Sequence, residues 1–111
     1  MRKMVVFVFV LALALPLSAA KWEGVALMDA NCAAKEKVMA HPEEHSRMCA
    51  IKCGEAGYGA VVDGKFVKFD KKGNELAAAA LKDSKKKDNL RANITGKIKD
   101  GTLQVSSLKL D

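Results

Sequence analysis

The first twenty residues constrain the rest of this chain more than any other feature. Met1–Lys3 is a short basic start, Val5–Leu15 is an unbroken apolar run, and Ser18–Ala20 places small residues shortly after it. This order is typical of a secretory signal peptide, and the apolar run is too short to span a bilayer. We predict a leader over 1–20 and one soluble domain over 21–111, periplasmic or secreted, whose thiols meet an oxidising environment.

The predicted domain has 91 of the 111 residues, which is enough for one modest hydrophobic core. The whole chain carries a formal charge of +6, and Gly64–Asp111 holds twelve basic and six acidic residues. Such a segment can attract polyanions, but a solvated lysine-rich surface is the simpler interpretation. We do not expect nucleic acid as a partner of an exported protein. No second apolar run is long enough for a membrane span once the leader is removed.

Alternation of apolar and polar residues predicts a first strand over Lys21–Asp29 and a hairpin within Tyr58–Asp70. Asp63–Gly64 between the two halves of that hairpin is typical of a two-residue turn. Its register places Val61 and Phe66 opposite each other, on the face away from the core. The predicted core face holds Tyr58, Ala60, Val62, Val67 and Phe69.

A second hairpin is predicted at the end of the chain. Leu90–Lys99 alternates, with its apolar residues from Leu90 to Ile98 facing inward, and Asp100–Gly101 turns the chain into Thr102–Leu110. The apolar positions change phase within that last strand. A bulge at Ser106–Ser107 explains the change of phase.

Three helices are predicted between the strands. Ala30–Ala40 forms the first, capped by Asp29 or Asn31, and the second begins at Pro42 and ends near Gly54 or Gly57. The third runs from an Asn74 cap through about Lys82, with an apolar stripe at helical spacing. That stripe consists of Leu76, Ala77, Ala80 and Leu81.

The order of these elements predicts an α+β, mainly β fold. Five short strands with a helix between the third and the fourth is the order of the OB-fold, a small barrel. The additional part is a two-helix insertion over about 30–56, between the first and second strands. It carries every cysteine and histidine of the chain.

Several short motifs are spread along the domain. They are Gly24, Asp29-x-x-Cys32, Cys49-x-x-x-Cys53-x-x-x-Gly57, the Asp63–Gly64 hairpin, and Ile94-Thr95-Gly96 before a short last strand. In combination they resemble a group of small exported bacterial proteins of uncharacterised function. The resemblance covers most of 21–111 and implies an OB-type barrel and export. It implies no particular ligand or reaction.

The three cysteines allow one disulfide and one remaining thiol. Cys49 and Cys53 are poor partners within one helix, because their Cβ atoms would be about 5–6 Å apart, against about 3.8 Å in a disulfide. We therefore predict a bridge from Cys32 to either Cys49 or Cys53. Closing a loop of this length stabilises a domain by about 3 kcal/mol in the chain-entropy model.

The same residues also allow a metal site. His45, Cys49 and Cys53 are spaced four residues apart, which places them on one drifting stripe of a helix. With Cys32 they make three thiolates and an imidazole, a set that suits zinc, and the methionines nearby suit monovalent copper. The signal is weaker than a zinc finger because no Cys-x-x-Cys pair is present. His41, just before proline, is predicted to be a capping or surface residue.

No arrangement of serine, histidine and carboxylate indicates a hydrolase, and no glycine-rich phosphate loop is present, so we do not expect an enzyme. The leading prediction is a non-enzymatic binding module of the bacterial envelope for a small ligand or another envelope protein. The alternatives are periplasmic zinc or copper binding through the insertion, and a structural or stress-related envelope protein. The candidate ligand surface consists of Phe66, Val61 and Trp22.

Overall fold

The computed structural model describes residues 19–111, so the predicted leader over 1–20 lies outside the described residues except for its last two. The strands are β1 (Ala20–Asp29), β2 (Tyr58–Val62), β3 (Lys65–Phe69), β4 (Arg91–Lys99) and β5 (Thr102–Leu110). The α-helices are α1 (Ala30–Ala33), α2 (Glu36–Ala40), α3 (Arg47–Lys52) and α4 (Lys71–Asp83), and 3₁₀ turns cover Pro42–Glu44 and Gly54–Ala56. Within 19–111, no helix combines the length and the apolar character that crossing a membrane requires.

The five strands close into a barrel in the order β1-β2-β3-β5-β4, with β4 returning to β1. The β3–β5 pair is parallel and the other pairs are antiparallel. The predicted fold class is therefore confirmed: a mainly β, five-stranded barrel with helical insertions after β1 and β3. The parallel β3–β5 contact that closes the barrel is short, with only Lys68–Thr102 and Phe69–Leu103 paired.

Both predicted hairpin turns are confirmed, and their backbone conformation explains their sequence. Asp63 and Gly64 have φ of 51° and 79°, and Asp100 and Gly101 have φ of 53° and 78°. Positive φ at both central residues defines a type I′ turn, which aspartate tolerates and glycine favours. The first turn pairs Val61 with Phe66, as the sequence predicts.

The predicted bulge in β5 is also confirmed. Thr95 pairs with Ser107 and Gly96 pairs with Val105, so one residue of β5 has no partner. The extra residue restores the inward phase for the end of β5, whose Leu108 and Leu110 pack against the core. The prediction for Ile98 is wrong, because its side chain is 45 % exposed near the end of β4.

The barrel interior holds the hydrophobic core. Leu27 of β1, Ile94 of β4 and Leu103 of β5 are each at most 2 % exposed. Helix α4 packs the predicted Ala77 and Leu81 into the same cluster, which buries its apolar stripe. Helix α4 begins four residues earlier than predicted, because the carboxylate of Asp70 caps it by accepting from the Gly73 N–H.

Asn74 has a different role from the predicted cap. Its side-chain oxygen accepts a hydrogen bond of 2.7 Å from the Tyr58 N–H, which ties the start of β2 to α4. The Tyr58 hydroxyl in turn donates to the carbonyl oxygen of Ala50. Ala50 belongs to α3 and is fully buried in the barrel core, so this bond fixes the insertion to the barrel.

The insertion is less regular than predicted. Its first predicted helix divides into α1 and α2, because Lys35 adopts an extended conformation between them. The second predicted helix divides into a 3₁₀ turn at Pro42 and the separate helix α3, because the backbone of His45 and Ser46 is extended. Ser46 starts α3 as a new cap, with its hydroxyl accepting from the Cys49 N–H at 3.1 Å. Helix α3 ends at Lys52, with Cys53 as its C-cap residue.

Candidate functional site

The break before α3 decides where His45 points. The predicted helical stripe of His45, Cys49 and Cys53 does not form, because His45 precedes the helix and Cys53 follows it. Extended backbone at His45 turns the imidazole toward the end of β1, where it is 7 % exposed. The prediction that this histidine belongs to a chemical site remains, but its neighbours differ from the expected ones.

Asp29 is the central residue of the site. It is the last residue of β1 and is fully buried. One carboxylate oxygen caps α1 by accepting from the Cys32 N–H at 2.9 Å. The other lies 2.7 Å from Nε2 of His45, a distance typical of a charge-assisted hydrogen bond. One side chain thus joins β1, α1 and the segment before α3.

Cys32 completes a compact buried group with these two residues. Burial is the main cause that raises the pKa of its thiol to about 11, and Asp29 and the neighbouring Cys53 thiol raise it further by charge and hydrogen bonding. Cys32 is therefore a protonated thiol at neutral pH. Burial, followed by the charges of Asp29 and Cys53, also raises the pKa of the nearby Tyr58 hydroxyl.

The ligand atoms of Asp29, Cys32 and His45 all lie within 4.8 Å of one another, and all three residues are buried. A carboxylate oxygen, a sulfur and an imidazole nitrogen are the three donor types that zinc takes from proteins. We call this group the Asp–Cys–His site. A second group, His41 with Glu43 and Glu44, is wholly exposed, which agrees with the prediction of a surface histidine.

The three cysteines have different positions relative to the site. All are free thiols, with Cys32 buried, Cys53 half-buried and Cys49 exposed. Cys53 is close enough to Cys32 to influence its ionisation. Among the described residues no two cysteines are at disulfide distance, so the predicted bridge from Cys32 is not formed here. Of its two predicted partners, Cys53 is the one that influences Cys32. Cys49 faces solvent, outside the group that the sequence assigned it to.

A surface groove reaches the site at His45. Its cavity volume is about 260 Å³, and its walls include His41, His45, Ser46 and Cys49. His45 lines this groove while its Nε2 contacts the buried Asp29. A small ion or water can therefore approach the imidazole from outside without passing through the barrel core.

Of the predicted ligand surface of Phe66, Val61 and Trp22, the structure pairs Val61 with Phe66 and places Trp22 on β1 beside β4. Val61 and Phe66 are half-buried partners on the β2–β3 hairpin. Trp22 pairs with Ile94 of β4 and packs against the barrel core. The ring of Phe66 lies over Gly59, and a side chain at position 59 would collide with that ring. These positions fit packing roles better than one shared ligand surface.

Comparisons of the chain with protein-family models, with curated proteins and with solved structures give no match. The resemblance to small exported bacterial proteins therefore stays a prediction, and so does export.

Sequence reasoning missed Asp29 as a site residue, although it identified the same side chain as a helix cap. The signal was present in Asp29-x-x-Cys32, because a capping carboxylate uses one oxygen and leaves the other for a second partner. The identity of that partner depends on a contact across 16 positions of sequence. Local pattern does not report contacts of this kind.

Proposed function

We propose that this protein is an exported, non-enzymatic binding module whose ligand is a zinc ion held at the Asp–Cys–His site. The observation that carries the proposal is that three different zinc-donor types lie buried within 4.8 Å of one another. Buried ionisable groups cost folding free energy unless hydrogen bonds or a bound ion compensate them, and such clusters are common at functional sites. Cys53, whose thiol influences the ionisation of Cys32, lies outside this group of three and would have to move toward it to act as a fourth ligand.

The distances support an ion of this size. Zinc bonds of about 2.0–2.3 Å in a tetrahedral arrangement place the ligand atoms about 3.3–3.8 Å apart. The three donors within 4.8 Å need to contract by no more than about 1.5 Å. The 2.7 Å contact between His45 and Asp29 must instead open by about half an ångström to admit the ion. Both adjustments lie within side-chain motion.

The donor set favours zinc over copper. Monovalent copper prefers thiolate and thioether ligands, whereas a carboxylate suits harder cations. Met48 is 59 % exposed, so it does not supply the thioether that a copper site would need. The proposed set replaces the predicted Cys49 with Asp29 and keeps Cys32, Cys53 and His45. Zinc bound in this way would also hold the insertion against β1.

The competing function is structural. A disulfide between Cys32 and Cys53 would hold the insertion to itself, and Asp29 with His45 would then be a satisfied buried pair without a ligand. This candidate is favoured by the proximity of the two thiols and by the predicted oxidising compartment. It excludes the zinc site, since a disulfide sulfur no longer offers the thiolate that zinc requires.

Zinc retention after dialysis tests the proposal. The reduced domain over 21–111 is loaded with zinc, dialysed, and analysed by elemental mass spectrometry. We expect about one zinc per chain, lost in Cys32→Ser and in His45→Ala. Cys49→Ser is the matched control and should retain the ion, because Cys49 is exposed and is not one of the grouped donors.

Two outcomes contradict the proposal. One is a reduced wild-type domain that retains no zinc. The other is a Cys49→Ser variant that loses zinc as fully as Cys32→Ser does. Mass measurement of the protein from its native host, before and after reduction, then decides whether Cys32 and Cys53 form the disulfide of the competing function.

A further inference from the structure

A basic surface lies on the outside of the barrel, apart from the Asp–Cys–His site. Lys68 of β3 and Lys99 of β4 both pair with Thr102 of β5, so the three side chains form one row across the sheet. Lys97 pairs with Gln104 in the next row. The neighbouring Leu103 and Val105 are buried, so this row of residues faces away from the core. We call Lys68, Lys97, Lys99 and Lys109 with the polar residues between them the basic sheet face.

The charges of the basic sheet face are not neutralised within the molecule. Lys68, Lys97, Lys99 and Lys109 are all exposed. In residues 19–111, both ion pairs involve histidine, and none involves a lysine. On β4 and β5 the other residues of this outer face, such as Thr95, Thr102 and Gln104, carry hydroxyl or amide groups, and on β3 the half-buried Phe66 shares the face with Lys68. Positive charges that lack internal partners are available to an external anion.

The shape of the basic sheet face fits a polymer better than a small anion. Strands β4 and β5 are each nine residues long, which corresponds to about 27 Å. Lysines on β3 and β4 that flank β5 are about 10 Å apart across the sheet. The lysines therefore lie along an open surface and do not converge on one point. A chain with regularly spaced negative groups can contact several of them at once.

The composition of the face favours an acidic polysaccharide over nucleic acid. Binding of single-stranded nucleic acid relies on exposed aromatic side chains on which bases stack. Tyr58 and Phe69 are buried, and Trp22 and Phe66 are half-buried. The hydroxyl and amide groups of Thr102 and Gln104 match the hydrogen-bonding capacity of sugar rings. An exported protein, as the leader predicts, also meets acidic glycans before it meets nucleic acid.

We propose that the basic sheet face binds an acidic polysaccharide, with Lys68, Lys97 and Lys99 contacting its negative groups and Thr102 and Gln104 its hydroxyls. This inference is independent of the zinc proposal, because the face shares no residue with the Asp–Cys–His site. Binding is electrostatic and weakens as salt displaces the polymer.

The test measures binding of a heparin-derived oligosaccharide by titration at several salt concentrations. The triple variant Lys68→Gln, Lys97→Gln, Lys99→Gln should bind at least about tenfold more weakly at low salt. The slope of log affinity against log salt should fall by about two to three, since each lost contact removes about one released counterion. The control removes the same charge elsewhere, with Lys72→Gln, Lys82→Gln and Lys85→Gln, and should weaken binding less than about threefold.

Three outcomes overturn the proposal. The first is a wild-type protein that does not bind the oligosaccharide. The second is an equal loss of affinity in both triple variants, which would assign binding to the total charge of the protein. The third is tighter binding of a single-stranded oligothymidylate of equal charge, which assigns the face to nucleic acid. Because all six lysines are exposed, thermal unfolding should be the same in every variant and excludes misfolding as the cause.

Discussion

Asp29→Ala removes two buried hydrogen bonds with one substitution. The first is the α1 cap on the Cys32 N–H, and losing a cap costs about 1 kcal/mol. The second is the bond to His45 Nε2, and leaving a buried polar atom without a partner costs about 1–3 kcal/mol. We expect the free energy of unfolding to fall by about 2–4 kcal/mol. For a domain of this size, that lowers the melting temperature by at least about 8 °C.

The assay is urea unfolding followed by circular dichroism, with a chelator and a reductant present so that neither zinc nor a disulfide contributes. Ser46→Ala is the matched control for the cap, because its hydroxyl caps α3 and has no histidine partner. It should cost about 1 kcal/mol. The difference between the two variants then measures the contribution of His45.

A double-mutant cycle of Asp29→Ala with His45→Ala separates the pair from its surroundings. We expect a coupling free energy of about 1.5–3 kcal/mol, the range for a buried hydrogen bond to a charged group. A coupling below about 0.5 kcal/mol would refute the reasoning, because it would mean that the 2.7 Å contact contributes nothing to the folded state.

Three further predictions follow from the same contacts. In the reduced, zinc-free protein, peptide mass mapping should show that Cys49 is alkylated first. The rate of alkylation of Cys32 should rise about tenfold per pH unit toward its pKa of about 11. Tyr58→Phe leaves the Ala50 carbonyl oxygen without its donor and should lower stability by about 1–2 kcal/mol in urea unfolding. Gly96→Ala places a methyl group against the backbone of β5 and should cost about 1–3 kcal/mol by the same assay.

Each of these has a contrary result. A Cys32 rate that levels off near pH 9 would show that burial does not hold its proton. Folding is linked to the same pKa: the folded state keeps the proton on Cys32 while the unfolded state loses it near 9.0. The contribution of this proton to the free energy of unfolding should therefore be fully present below pH 9 and be lost as the pH rises from 9 to about 11. Unchanged stability in Tyr58→Phe or Gly96→Ala would contradict the contact that each one tests.

The β-sheet could be read from the sequence because its signals are local. Both Asp-Gly turns fix the register of their hairpins, and the change of phase at Ser106–Ser107 shows the bulge directly. The insertion could not be read in the same way. Its helices have four to six residues, too short to be stable alone, so caps and docking set their bounds.

The sequence by itself predicted the order of the strands along the chain, both hairpins and the segment that carries the sulfur and imidazole groups, since turns and alternation act between neighbouring residues. It predicted an OB-type barrel from that order, but the β1–β4 and parallel β3–β5 pairings that close the barrel are tertiary contacts. Only the tertiary structure decided that His45 meets Asp29 and that Cys53, instead of Cys49, lies beside Cys32. Both contacts depend on the direction of the side chains in and beside the extended segment His45–Ser46, which is set where the short helices pack against the barrel. Burial of a carboxylate is tolerated only where hydrogen bonds compensate its lost hydration. For Asp29 one of those bonds comes from His45, which is distant in sequence and close only in the folded structure.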